Sequence, residues 1–257
     1  MTFEQQARLM RTKQDKLISK YEIAFGLVFT RQLKAFSKAV ENFPYGAIYE
    51  IDNYFKDSDI KKAYDPMIIQ TANDFRIKDP NILLKAITDD LWASLVGTFL
   101  RTIGGERITE INNFTKKYVL NRLRPILDLG TSKGLGIQEI GKMIVNDINE
   151  YRGAFAKYRS ERIARTEIIG ASNWASHTSV ETSGVKDRVL KKWHVNVDGR
   201  ERETHLEMRN KTAIPIDDFF EVRNLAGGVD RMKYPGDVNG SAGNTIQCRC
   251  AIVYQRV

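Results

Sequence analysis

Apolar side chains recur at steps of three and four over long stretches of the first half of the chain, the spacing of one face of a helix. Residues 3–43 are expected to form one long helix, with Ile18, Tyr21, Phe25, Val28, Phe29, Leu33, Phe36 and Val40 along its stripe. It should end at the breaker cluster Phe43-Pro44-Tyr45-Gly46. Asp79-Pro80-Asn81 reads as the start of a second helix carrying Leu83, Ile87, Leu91, Leu95 and Phe99, stopped by Gly104-Gly105. A third helix is expected from about Glu106 to Leu127 with Ile108, Ile111, Phe114, Tyr118 and Leu123 apolar. A loop over 129–136 should precede a short helix carrying Ile137, Ile140, Ile144 and Ile148, and 153–183 reads as helical again.

After Gly184 the texture changes. Lys191 to Asp198 alternates like a strand, and Asp198-Gly199 is a turn signal. Arg200 to Arg209 suits a short helix that Asn210 could end in a left-handed cap. Ala213-Ile214-Pro215-Ile216 and Phe219-Phe220-Glu221-Val222 suggest edge or extended segments, glycines and asparagines mark 224–244 as loop, and residues 248–254 read as a terminal strand. The expected class is α+β. A mainly helical N-terminal half, 1–150, would dock partners, and a small α+β domain with a short sheet would occupy 151–257.

Of the 257 residues, 42% are hydrophobic and 28% charged, enough apolar content for a core without staples. No apolar run of about 18 residues is present, so no membrane partner is expected. The net charge of +8 favours polyanionic partners. Its densest stretch holds Arg152, Lys157, Arg159, Arg162 and Arg165, interrupted by one acid, Glu161. Lys157, Arg159, Arg162 and Arg165 are candidate phosphate contacts, sequence-independent and salt-sensitive; the other reading is a solvated helix face.

Two cysteines are too few for a secreted disulfide framework, so folding in a reducing cytoplasm is expected. Neither a P-loop, a Gly-x-Ser-x-Gly elbow nor a His-Glu-x-x-His motif occurs. The polar residues that remain are concentrated in the last hundred positions: Arg165-Thr166-Glu167, Trp193, Asp198-x-Arg200-x-Arg202-x-x-His205, Tyr234-Pro235-Gly236-Asp237 and Cys248-Arg249-Cys250.

Cys248 and Cys250, at i,i+2 on a strand, would share one face with Cα atoms about 6.5–7 Å apart, at the edge of what a disulfide spans. They could be two small buried hydrophobes. They could instead join His205 and a fourth ligand, His194 or Asp198, around a structural zinc ion. Glu167, Asp198, Arg200, Arg202 and His205 read as an ionic cluster in which Asp198 caps a helix and an arginine reaches Glu167. The alternative is a metal- or acid-base-dependent hydrolase, nuclease or protease, using Glu167, Asp198 and His205.

In order and spacing these motifs resemble the phage Mu F-like head morphogenesis family, the minor head proteins of tailed phages, over roughly residues 150–254. This sequence departs from the family pattern at Met208–Lys211, where a glycine is common, at Val238 after Pro-Gly-Asp, and at Thr245-Ile246-Gln247 before the cysteines. The resemblance implies a non-enzymatic component inside the head, made in the host cytoplasm. Its implied partners are the portal protein, scaffold or capsid protein, and genomic DNA.

Overall fold

A computed structural model describes residues 1–79, 82–83 and 87–257. The helices are α1 (Phe3–Asn42), α2 (Pro44–Tyr49), α3 (Asp57–Phe75), α4 (Asp89–Phe99), α5 (Gly105–Ser132), α6 (Ile137–Glu181), α7 (Glu203–Leu206) and α8 (Ala242–Thr245). The strands are β1 (Val189–His194), β2 (Ile214–Pro215), β3 (Phe220–Arg223), β4 (Val229–Met232) and β5 (Ala251–Arg256). The class is α+β, as the sequence implies. No helix among the described residues is long and apolar enough to cross a membrane.

The chain divides into two compact units. One comprises Met1–Lys20, Pro66–Arg101 and Arg162–Val257; the other comprises Tyr21–Asp65 and Thr102–Glu161. The division does not fall at residue 150. Helix α6 runs through that position without a break and contributes to both units, as does α1.

Several local expectations are corrected. The N-cap of α4 is Thr88, whose hydroxyl accepts from Leu91 N at 3.3 Å, so the helix starts well after Asp79; Pro80 and Asn81 lie outside the described residues. Its buried face is Trp92, Val96 and Phe99, while Leu91 is exposed. Gly104-Gly105 does not stop the chain's helical course, because a π-turn over Leu100–Gly104 joins α4 to α5. Helix α5 buries Ile108, Ile111, Thr115, Val119 and Leu123 and leaves Phe114 exposed. The expected loop shrinks to 133–136, and the two helices expected beyond it are the single 45-residue α6. Asn210 is not left-handed, and the 224–244 loop contains β4.

The unit containing Tyr21–Asp65 is a helical assembly around Phe25, Phe29, Leu33 and Phe36 from α1, with Ile111, Val119 and Leu123 from α5 and Ile144 and Phe155 from α6. Buried Asn112 ties α5 to the start of α3, donating to Phe55 O at 2.8 Å and Asp57 Oδ1 at 2.6 Å. Arg122 grips Asp147 through two bonds of 2.9 Å and lies 4.3 Å from the centre of the Tyr151 ring.

The unit containing the C-terminus has a three-stranded antiparallel sheet in the order β2-β1-β5 and a separate β3–β4 hairpin. Strands β1 and β5 pair from Val189↔Arg256 to His194↔Ala251. Trp193 and Ile252 are paired at the centre of a core that includes Ile169, Val180, Phe220, Met232 and Tyr234. So small a sheet needs a helix to complete it.

Side-chain amides from two helices satisfy the outer edge of β5. The Gln6 amide donates to Tyr254 O at 2.8 Å and accepts from Tyr254 N at 3.0 Å. Fully buried Asn173 of α6 accepts from Ile252 N at 2.9 Å and donates to Cys250 O at 3.2 Å and Pro235 O at 2.9 Å. Replacing Asn173 with Ala strands three buried backbone groups. Each costs on the order of 1 kcal/mol or more, so the expected loss is about 3 kcal/mol, read as a lower urea midpoint with an unchanged slope.

Candidate functional site

Several of the residues singled out by the sequence meet at the turn that leads into β5: Thr166, Arg202, His205, Cys248, Arg249 and Cys250. Gln247 has φ 56°, the left-handed region that side chains seldom adopt, and its N–H donates to Thr166 Oγ1 of α6 at 3.0 Å. Cys248 N closes the turn onto Thr245 O at 3.2 Å. Both cysteines therefore precede the strand instead of lying on it, yet the turn still aims both sulfurs at one point.

That point is His205 of α7. Its Nδ1 lies 3.8 Å from Cys248 Sγ and 3.4 Å from Cys250 Sγ. The three ligand atoms lie within 4.8 Å of one another, and all three residues are buried. Both thiols are free. Cys250 N donates to Cys248 Sγ at 3.4 Å, and the Trp193 indole packs edge-on to His205 with centroids 5.4 Å apart. Contact with Cys250 holds the Cys248 thiol well below its usual range, and the same contact pushes Cys250 up.

The expected fourth ligands are engaged elsewhere. His194 Nε2 is 2.8 Å from Glu4 Oε2 and its Nδ1 is 3.4 Å from Arg11, beside a 460 Å³ cavity also lined by Lys192 and Arg209. Asp198 accepts from Arg249 at 3.1 Å and from the Arg200 guanidinium at 3.1 Å. The arginines beside it hold its carboxyl below the usual range despite its partial burial.

The ionic cluster is accordingly two arrangements. Asp198 does not cap α7; it accepts from Arg200 N at 3.2 Å and closes its own turn. The N-cap of α7 is Arg202, whose guanidinium donates to Ile246 O. Arg249, not foreseen as a partner, is the cation that ties Asp198 to the cysteine turn. Glu167 is buried on α6. Among the described residues, Glu167, Asp198 and His205 do not form a group with ligand atoms within 4.8 Å of one another.

The candidate phosphate contacts are spread along α6 with unequal exposure. Lys157 is exposed, whereas Arg159, Arg162 and Arg165 are half-buried. Arg159 donates to Ile111 O at 3.1 Å and to Thr115 Oγ1 at 3.4 Å, which commits its fork to α5.

Tyr234-Pro235-Gly236-Asp237 is a corner. Asp237 accepts from Lys233 N at 2.7 Å and Asn239 N at 3.0 Å. Gly236 has φ 79° and faces Gly170 of α6, so a Cβ on Gly236 would stand 3.0 Å from Gly170 Cα. Beneath the corner lies a buried set of ionisable groups invisible to motif reading. His177 has no hydrogen-bond partner, packs against Tyr234 with ring centroids 5.5 Å apart at a tilt of 44°, and lies 3.8 Å from Glu181. Lys191 is fully buried, donates to Lys233 O at 3.0 Å, and is pulled down to about 8 by burial and by Lys233. Burial, with Lys191 and Lys233 nearby, lowers His177 to about 3.

A family model described as "Phage Mu protein F like protein" matches residues 122–253. The chain belongs to the phage Mu F-like family. The match begins inside α5, earlier than the motifs alone suggest, and ends within β5. No curated protein and no solved structure matches the chain. Membership in the Mu F-like family makes this a phage head morphogenesis protein.

Two outcomes follow from the corner. Gly236→Ala combines a left-handed φ with a backbone clash, and is expected to cost about 1–3 kcal/mol in chemical denaturation. His177 is held neutral in the folded state, so between pH 6.5 and about 3 the unfolded chain binds the extra proton. Its contribution is therefore present above pH 6.5 and falls by on the order of 1 kcal/mol per pH unit on acidification through that window. His177→Phe should flatten this part of the stability–pH curve measured by urea titration.

Proposed function

We propose that this Mu F-like protein is a structural component of a tailed-phage head that acts at the portal during assembly, on the inner side of the head, and performs no turnover. The observation that carries this reading is the family match over 122–253, combined with how the motif residues in that region are used. Asp198 braces a turn through Arg200 and Arg249, Arg202 holds Ile246 O, and Gly236 admits close approach to α6. A hydrolase would need Glu167, Asp198 and His205 to converge on a substrate; among the described residues they form no such group, Asp198 being held by Arg200 and Arg249 while His205 Nδ1 faces the two cysteine sulfurs.

Partner contact is assigned to the unit built on Tyr21–Asp65 and Thr102–Glu161. There Ile23 and Leu27, one turn apart on α1, are exposed, as is Phe114 on α5. Contact with genomic DNA is directed at phosphates and independent of sequence, favoured by the net +8 charge and by exposed cations such as Lys157.

The test is copurification of tagged protein with the portal protein and with proheads, comparing the wild type with an Ile23→Glu, Leu27→Glu double variant. The expected result is wild-type recruitment and its loss, by roughly tenfold or more, in a variant with unchanged circular dichroism and melting. A wild-type chain found in neither portal complexes nor proheads would overturn the assignment.

A further inference from the structure

The His205–Cys248–Cys250 cluster is not used by the assembly reading above, and its geometry points to a ligand of its own. We propose that His205 Nδ1 and the Cys248 and Cys250 sulfurs bind one zinc ion, which pins α7 to the turn before β5 as a structural site.

The distances carry the argument. Zinc bonds of about 2.3 Å to sulfur and 2.0–2.1 Å to nitrogen, at tetrahedral angles, require N···S separations of about 3.6 Å. The observed separations of 3.4 and 3.8 Å bracket that value. Two sulfurs and one nitrogen meet from segments 43 residues apart in sequence, brought together by Arg202 on Ile246 O and by Thr204 Oγ1 on Asn244 Oδ1 at 3.1 Å. One imidazole nitrogen facing two sulfurs is a poor hydrogen-bond arrangement, since it can donate or accept only one proton along its lone-pair axis. It is a good ligand arrangement for a soft-tolerant divalent ion.

The surroundings fit a thiolate-bound cation. Cys250 N already donates to Cys248 Sγ, the kind of outer contact that supports a metal-bound sulfur. Every ligand is buried, and none of the three lines the cavities beside His194 or beside Tyr254. A substrate therefore has no route through those cavities, which separates this site from a catalytic zinc of the same ligand set. With His194 and Asp198 committed elsewhere, the fourth position is left to a non-protein ligand, water being the smallest.

The experiment uses the full chain purified without chelator from zinc-supplemented medium. Elemental analysis is expected to find stoichiometric zinc, and cobalt exchange to give thiolate-to-cobalt charge-transfer absorption with the strong visible bands of a tetrahedral ion. Stripping zinc should lower the melting temperature of the wild type by about 5 °C or more, and readdition should restore it. In His205→Gln and Cys250→Ser the stoichiometric metal and the cobalt bands should disappear. Folded wild-type protein without stoichiometric zinc, and without a charge-transfer band when cobalt is added, would overturn the proposal whatever the variants do. Recruitment to heads is a separate readout, so failure of one assignment leaves the other standing.

Discussion

The outer edge of β5 has to be satisfied, and it is satisfied by side chains. A three-stranded sheet whose last strand exposes unpaired N–H and C=O groups is an invitation to pair with another chain. Here Gln6 and Asn173 occupy the places another strand would take, on Tyr254 and on Ile252 and Cys250. This is why the first twenty residues fold with the last hundred: the edge of the sheet needs Gln6 of α1 as much as it needs Asn173 of α6. It also fixes the site. Asn173 sets the height of Cys250 and of Pro235 against α6, and with them the entrance to β5 and the corner that lets Gly236 approach Gly170.

Around that anchor, the polar groups serve backbone. Arg202 reaches a carbonyl, Thr166 receives the strained Gln247 N–H, and Asp237 receives two N–H groups. Asp230, held at about 2, accepts from Ser241 N, Ser241 Oγ, Asn224 and Asn244, and so fastens the segment after β4 to the hairpin. Buried polar groups of this kind are costly unless every partner is present, and when present they specify one conformation. Irregular chain is thereby held in place where the small sheet offers few ladder bonds.

The helical half was legible where one face stays buried over many turns. Phe25, Phe29, Leu33 and Phe36 mark α1 unambiguously because each falls on the same stripe. The rule failed where a local signal opposed the tertiary outcome. Gly104-Gly105 looks like a terminator because glycine weakens helices, but a π-turn carries the chain across it. Helix α3 went unseen although Ile60, Tyr64, Met67, Ile68 and Phe75 are buried at helical spacing, because Pro66 sits among them. Helix α6 was divided because its residues serve different units along its length, so no single stripe persists. The cysteine pair could be read as a pair, and the order of the motifs singled out His205. The polar caps on β5 could not be read, since a glutamine or asparagine in a helix carries no mark of what it will bind.

Acidic, basic and sulfur-bearing groups at motif spacing serve here as ties within the fold. In a catalytic site such groups converge on open space, with their polar atoms left for a substrate. Here Asp198 spends its oxygens on Arg200 and Arg249, and Arg202 is spent on a carbonyl. His205 faces two sulfurs in a closed interior. What spacing alone presents as a line of candidate catalysts becomes, once folded, a set of ties between α6, α7 and the start of β5.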